Sequence, residues 1–151
     1  MSLAAENTLD GFNRAFNELN SLYHEAALRL EMTDSELDIL YMLHSAGGCC
    51  PLPRLCGFAA GGRQTVNSAL RKMEKAGLVA LSPADGRSKV VCLTPAGRET
   101  ANRKIGPLKQ LETQVFDGWS RQEQEEYLRL LQKYLEAFRK GLPTLKQEDT
   151  P

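Results

Sequence analysis

The stretch from Gly61 to Thr94 contains two patterns of different period with almost no linker between them. The first part, GGRQTVNSALRKMEKAG, follows a glycine turn, has apolar residues at helical spacing and ends at Gly77, a residue type typical of the position after a helix. The second part, LVALSPADGRSKVVCLT, has two β-rich runs around an Asp-Gly turn signal. This order predicts a short amphipathic helix followed directly by a β-hairpin.

The predicted helix has one apolar and one polar face. Its buried face should comprise Val66, Ala69, Leu70 and Met73. The other side carries polar and cationic side chains, namely Arg63, Gln64, Asn67, Ser68 and Arg71. A shorter helix with Leu55 and Phe58 should come before it, after a loop that contains Pro51 and Pro53. Two short helices joined by a glycine turn predict a helix-turn-helix.

Longer amphipathic helices are predicted on both sides of this motif. The N-terminal one has an apolar seam at alternating intervals of three and four, formed by Leu9, Phe12, Phe16, Leu19, Tyr23, Ala26 and Leu30. Capping boxes at Thr33 and Ser120 should start two further helices, and Thr94 should cap a helix that Gly106-Pro107 bends or interrupts. The expected fold class is mainly α, with a small β-hairpin wing.

Charge is distributed unevenly along the chain. The 151 residues have no net charge, yet residues 52–104 contain ten Lys and Arg against three Asp and Glu, a net charge of +7. The flanking segments must therefore sum to −7. A basic middle between acidic ends is the pattern of a nucleic-acid-binding surface, although an uneven solvated surface would look the same.

Length and composition suggest a single domain over residues 1–151, with a polar tail at 142–151. No apolar run is long enough to cross a membrane and the N-terminus does not resemble a secretion signal, so we expect a cytoplasmic protein without membrane contact. The four cysteines should then be free thiols, with Cys56 and Cys92 in the core. The segment CCPLPRLC also suggests redox activity at Cys49, Cys50 and Cys56.

The segments TVNSALRKMEKAGLV and PADGRSKVVCLTPAG resemble the winged helix-turn-helix of the MarR family of bacterial transcriptional regulators. The resemblance covers residues 33–97. Two features depart from the family pattern: Leu81 replaces a frequent arginine, and Gly61-Gly62 replace a Ser or Asp cap. The resemblance implies a homodimer that binds a near-palindromic operator, acts as a repressor and is released by a small aromatic or lipophilic effector.

Each of these expectations is assigned to particular residues. At the wing, Arg87 should enter the minor groove and Asp85 should orient its guanidinium. The complete set of expected DNA contacts is Arg54, Arg63, Gln64, Thr65, Asn67, Ser68, Arg71, Asp85, Arg87 and Lys89.

The helices at residues 7–31 and 98–141 should form the dimer. The interface is predicted to include Leu9, Phe12, Phe16, Leu19, Tyr127, Leu131, Tyr134 and Phe138. An effector pocket is predicted around Tyr23, His24, Tyr41, His44 and Trp119.

Three alternative functions remain to be weighed. The protein could sense oxidants through Cys49, Cys50 and Cys56, or its basic winged helix could bind an acidic protein instead of DNA. Catalysis is not expected, because the chain has no recognisable Ser-His-Asp set, phosphate-binding loop, dinucleotide motif or paired carboxylates. Neither a cofactor nor a metal site is predicted, since no Cys or His spacing fits zinc.

Overall fold

The computed structural model describes residues 7–59, 61–84 and 88–146. The helices in these ranges are α1 (Thr8–Arg29), α2 (Asp34–Ser45), α3 (Leu52–Phe58), α4 (Gly62–Lys75), α5 (Pro95–Asp117) and α6 (Arg121–Gly141), and the strands are β1 (Cys49–Pro51), β2 (Val79–Ala84) and β3 (Ser88–Leu93). A 3-10 turn follows at Leu142–Thr144. The chain forms two compact units that divide between Lys109 and Gln110. None of the described helices is both long and apolar enough to cross a membrane.

The wing is a three-stranded antiparallel sheet in the order β1-β3-β2. The predicted hairpin accounts for β2 and β3, but the expected loop at Pro51 is in fact the end of β1. Pro51 is compatible with a strand there because β1 lies at the edge of the sheet, where a missing N–H breaks no central ladder. The register pairs Cys49 with Cys92, and the Leu93 amide donates to the Gly48 carbonyl over 2.7 Å beside this pair.

The three side-chain caps that were predicted, at Thr33, Thr94 and Ser120, are confirmed. Complete capping boxes stand at Thr33 with Glu36 and at Ser120 with Glu123. The Thr94 hydroxyl accepts from the Gly97 amide at 3.0 Å and donates to the Gly77 carbonyl at 2.5 Å, so it connects the start of α5 with the turn after α4.

A bend or an interruption was predicted at Gly106-Pro107, and the interruption is wrong, because α5 runs unbroken from Pro95 to Asp117 with Pro107 inside it. A proline inside a helix removes one backbone hydrogen bond. Ile105 and Leu108, which flank the glycine-proline pair, are both buried in the core of the first unit. Their burial offsets the lost hydrogen bond and keeps the helix continuous.

The core of the first unit is formed by the inner faces of α2 to α5 and by the sheet, together with Ala27 near the end of α1. The predicted buried face of α4 is confirmed, since Val66, Ala69, Leu70 and Met73 are all buried. On α2 the buried residues include Leu37, Leu40 and Leu43. At Gly97, helix α5 comes very close to the backbone of Leu78. A Cβ built on Gly97 would be 1.9 Å from the carbonyl oxygen of Leu78. Only glycine therefore fits where α5 crosses the entrance to β2.

The second unit consists of the end of α5, α6 and the 3-10 turn. Phe116, Trp119 and Tyr127 form an aromatic cluster, with the Trp119 ring centroid 5.0 Å from that of Phe116 and 5.3 Å from that of Tyr127. No residue of α6 is buried, although the helix is strongly amphipathic. Most of its apolar side chains therefore remain exposed, whereas such a face is normally buried.

Candidate nucleic-acid interface

The outer face of α4 carries the side chains that were predicted to contact DNA. Arg63, Gln64, Ser68 and Arg71 are exposed, and Asn67 is half-buried. Because Val66, Leu70 and Met73 fix the opposite face in the core, α4 presents these groups on a rigid support. Arginine and amide side chains can hydrogen-bond both phosphates and base edges, which makes this face chemically suited to duplex DNA.

The first turn of α4 provides further hydrogen-bond donors. Gly61 caps the helix with φ of +93°, a left-handed conformation in which a Ser or Asp would be strained, which explains the departure from the family pattern. Within the described residues, the first turn contains no acidic residue and no side chain caps it. Free amides and the positive end of the helix dipole favour an anion at this end.

Thr65 differs from its neighbours on this face. Its hydroxyl donates to the Gly61 carbonyl at 2.9 Å, so the single hydroxyl proton is already used. Ser68 is the better phosphate donor of the two, and a phosphate contact by Thr65 stays a prediction.

Two further cations predicted to contact DNA lie on other elements. Arg54 on α3 and Lys89 on β3 are both exposed. The wing-tip contacts predicted for Asp85 and Arg87 lie outside the described residues, so their roles stay predictions from the sequence. The same holds for the roles of the α4 side chains, whose exposure permits contact with DNA.

The cysteines differ from the prediction of four free thiols. Cys49 and Cys92 form a disulfide because the pairing of β1 with β3 brings together two residues that are 43 positions apart. Cys92 is half-buried and bonded to an exposed residue, so its predicted place in the core is wrong.

The remaining two cysteines, Cys50 and Cys56, are free. Cys50 is buried, and this burial raises the pKa of its thiol against a smaller lowering by the Arg54 charge. The predicted redox set Cys49, Cys50 and Cys56 therefore lacks the actual partner of Cys49, which the sequence did not single out.

The residues predicted to bind an effector lie in different surroundings. His24 on α1 hydrogen-bonds Asp34, with 2.9 Å between Nδ1 and Oδ1. On α2, the Tyr41 ring stacks on Phe58 with 6.4 Å between centroids, and the Lys109 ammonium lies 5.0 Å from its centre. Trp119 belongs to the aromatic cluster of the second unit, and the side chain of Tyr23 is only partly covered.

His44, one turn after Tyr41, has an unusual environment. Its Nε2 lies 3.2 Å from Asn102 Oδ1. Its Nδ1 is buried and is the side-chain polar atom that lacks a hydrogen-bond partner within the described part of the chain. Such an atom is energetically costly unless a partner reaches it.

A cavity of about 280 Å³ lies elsewhere in the first unit, between α2, α4 and α5. Its lining combines an apolar floor with the polar or charged side chains of Glu36, Lys72, Thr100 and Lys104. None of the five predicted effector residues lines this cavity, and the sequence provided no signal for it.

The predicted interface residues are largely exposed. On α1, Leu9, Phe12, Phe16, Leu19 and Tyr23 are exposed, whereas Ala26 and Leu30 at the end of the seam pack against the core. On α6, Tyr127, Tyr134 and Phe138 are exposed and Leu131 is half-buried. Rows of exposed apolar side chains in a folded chain are typical of interaction surfaces.

Comparison with known proteins shows what this architecture resembles. A family model described as the MarR family matches residues 30–88. A MarR family transcriptional regulator from Silicibacter pomeroyi is 30% identical over 82% of this chain and 84% of its own, with a TM-score of 0.67. A MarR family protein of Mycobacterium tuberculosis, solved in complex with salicylic acid, is 31% identical over 87% of this chain and 99% of its own, with a TM-score of 0.59.

A MarR family regulator from Neisseria meningitidis has the same fold at 17% identity, with a TM-score of 0.82 over 93% of this chain and 100% of its own. A comparison with curated protein sequences found no match.

Proposed function

This chain belongs to the MarR family of transcriptional regulators, and we propose that it acts as a homodimeric repressor that binds a near-palindromic operator. Members of the family regulate transcription by binding DNA. What we propose beyond family membership is the dimer, the symmetry of the operator and the direction of regulation.

The exposed polar face of α4 is the observation that carries the proposal. It places Arg63, Gln64, Ser68 and Arg71 on one side of a helix whose other side is anchored in the core. In a winged helix, such a helix enters the major groove while the wing lies over the neighbouring minor groove. The basic segment around α4 supplies the charge that phosphates require.

The uncovered apolar faces support dimerisation. The α1 face includes Phe12 and Phe16, whose ring centroids are 5.9 Å apart, and the α6 face includes Tyr134 and Phe138, 5.8 Å apart. We propose a second copy of this chain as the occupant of both faces. A two-fold dimer would present two α4 helices to successive major grooves, which is the geometry that a palindromic operator requires.

The first test is the loss of the wing cation. We expect Arg87→Ala to raise the Kd for a duplex selected by the wild-type protein from a random library by about tenfold or more, because a minor-groove guanidinium contact is lost. The slope of log Kd against log salt should fall by about one per lost phosphate contact. Fluorescence anisotropy at several salt concentrations measures both quantities.

A matched control removes the same charge from the second unit. Arg121→Ala should leave both the affinity and the salt slope unchanged, since Arg121 pairs with Glu125 on the exposed start of α6. Equal affinity of the Arg87→Ala variant and the wild type would contradict the wing assignment. Binding that does not depend on salt would instead favour an acidic protein partner.

We further propose that a small aromatic acid releases the DNA by binding beside Tyr41 and His44. The Tyr41–Phe58 stack offers an aromatic wall, Lys109 offers a cation, and Nδ1 of His44 needs a partner. These groups match a ring that carries a carboxylate and a hydroxyl, and the relative from M. tuberculosis was solved with such a molecule.

Salicylate is the probe for this site. We expect millimolar salicylate to weaken DNA binding by the wild type, and Lys109→Met to reduce this effect at least about fivefold, since a charge-assisted hydrogen bond contributes more than a kilocalorie per mole. Lys104→Met, on the same helix but lining the other cavity, is the control and should respond as the wild type does. If salicylate left the wild-type affinity for DNA unchanged, the proposal would be contradicted. If Lys104→Met alone lost the response to salicylate, the effector would instead bind in the 280 Å³ cavity.

A further inference from the structure

We propose that Cys49 and Cys92 form a reversible dithiol–disulfide site that exchanges with low-molecular-weight thiols and disulfides and strengthens DNA binding when oxidised. The coupling to DNA rests on the proposed function. The chemistry itself rests on the placement of Cys49 and Cys92 opposite each other in one small sheet.

The two sulfur atoms meet across neighbouring strands. Cys49 and Cys92 are opposite each other in the β1–β3 ladder, with 4.1 Å between their Cα atoms. The flanking hydrogen bond from Leu93 to Gly48 places them at a position where the two residues exchange no backbone hydrogen bonds, and side chains approach most closely at such positions. The fold therefore holds both thiols in reach of each other without requiring a separate conformational change.

Solvent access distinguishes Cys49 from the two free cysteines. Cys49 is exposed, whereas Cys50 is buried on the opposite face of β1 because successive strand residues alternate. The Arg98 guanidinium packs on Gly48, the residue before Cys49, and its Nη1 lies 3.4 Å from the Gly47 carbonyl. The thiolate is the nucleophile in disulfide exchange, and the exposed sulfur atom of Cys49 can be reached by a small thiol or disulfide.

The position of the bond in the chain gives it a mechanical role. The loop that it closes contains α3, α4 and β2, and so includes the helix proposed to read DNA. Strand β1 continues directly into α3 and has only three residues, of which Pro51 donates no backbone hydrogen bond. The disulfide consequently adds a covalent connection where few hydrogen bonds fasten the start of α3 to the sheet.

The compartment of a DNA-binding protein makes this bond reversible. Thiols in contact with genomic DNA are kept reduced by small thiols, and disulfides there are typically transient or sensory. In the oxidising direction the two protein thiols and one disulfide RSSR give the Cys49–Cys92 disulfide and two RSH. The electron pair and both protons pass to the two leaving thiols. The reducing direction is the reverse of this step.

Peptide mapping tests the site without reference to DNA. Trypsin should release Cys49 in the peptide of residues 30–54, together with Cys50, and Cys92 in the peptide of residues 90–98. After equilibration with oxidised glutathione and alkylation of free thiols, we expect these two peptides to be joined in the wild type and in Cys50→Ser. The link should be absent in Cys49→Ser. In the wild type, reduced glutathione should break the link and return Cys49 and Cys92 to free thiols. A link that needs Cys50, or no link at all, would overturn the proposal.

Anisotropy with the selected duplex tests the coupling. We expect reduction of the wild type to raise Kd at least about threefold, Cys49→Ser and Cys92→Ser to bind like the reduced wild type in both buffers, and Cys56→Ser to respond to redox state as the wild type does. Equal affinity of the mapped oxidised and reduced forms would overturn the coupling. No DNA binding in either state, with a normal peptide map, would instead contradict the proposed function and leave the exchange site intact.

Discussion

Replacing Gly97 with alanine should lower the free energy of unfolding by at least about 3 kcal/mol. The new Cβ would lie 1.9 Å from the Leu78 carbonyl oxygen and 2.9 Å from its carbon, and these backbone atoms cannot rotate away. That carbonyl also accepts from the Thr94 amide at 3.0 Å, so moving it would break the connection at the start of α5. Urea unfolding followed by circular dichroism measures the loss.

Gly106→Ala is the matched control in the same helix. No atom lies within 4 Å of a Cβ built at Gly106. Alanine improves helix propensity, while Pro107 restricts the residue before it, so the two effects should leave the change below about 1 kcal/mol in either direction. If Gly97→Ala were as stable as Gly106→Ala, the close packing of α5 on the entrance to β2 would be wrong.

Replacing Phe16 with glutamate should convert the protein to a monomer or make it insoluble, and should weaken DNA binding by at least about a hundredfold. Phe16 is 48% exposed at the centre of the α1 seam and stacks on Phe12. In a two-fold interface one substitution introduces two carboxylates, each of which loses several kcal/mol of solvation. A monomer engages one half-site and loses the gain of bivalent binding. Light scattering measures the mass.

Ser21→Glu is the control for this variant, since it places the same charge on the exposed opposite side of α1. It should remain dimeric and bind DNA normally. A Phe16→Glu protein that stays a soluble dimer would exclude the α1 seam as the interface.

Local sequence signals predicted much of the fold. Thr33 and Ser120 were identifiable as caps because each is followed three residues later by glutamate, and the contacts involved span a single helical turn. The buried face of α4 followed from its period alone, because Val66, Leu70 and Met73 are spaced for one side of a helix.

Features that depend on distant residues were missed. Nothing near Cys49 indicates that it pairs with Cys92, since the pairing arises only when β1 joins the sheet edge. The mixed lining of the 280 Å³ cavity combines residues from three helices, and Pro107 remains helical because buried neighbours on both sides hold it. In each case tertiary packing overrides the local pattern.

The candidate interface likewise has features that could be predicted from the sequence and features that could not. The composition of α4 was sufficient to predict which side chains face outward, because burial of one face determines the other. The left-handed Gly61 and the engaged hydroxyl of Thr65 could not be predicted, since both depend on the backbone path of the turn before α4.

The hydroxyl of Thr94 links the movement of α5 to that of α4. It is bonded at once to the carbonyl of Gly77, beyond the last turn of α4, and to the amide of Gly97, in the first turn of α5. Any axial shift or rotation of the first turns of α5 therefore pulls on the turn that terminates α4, through two hydrogen bonds that share one atom. The Thr94 side chain thus couples the two helices, and valine at this position would remove both side-chain hydrogen bonds while the backbone amide of residue 94 could still donate to the Leu78 carbonyl.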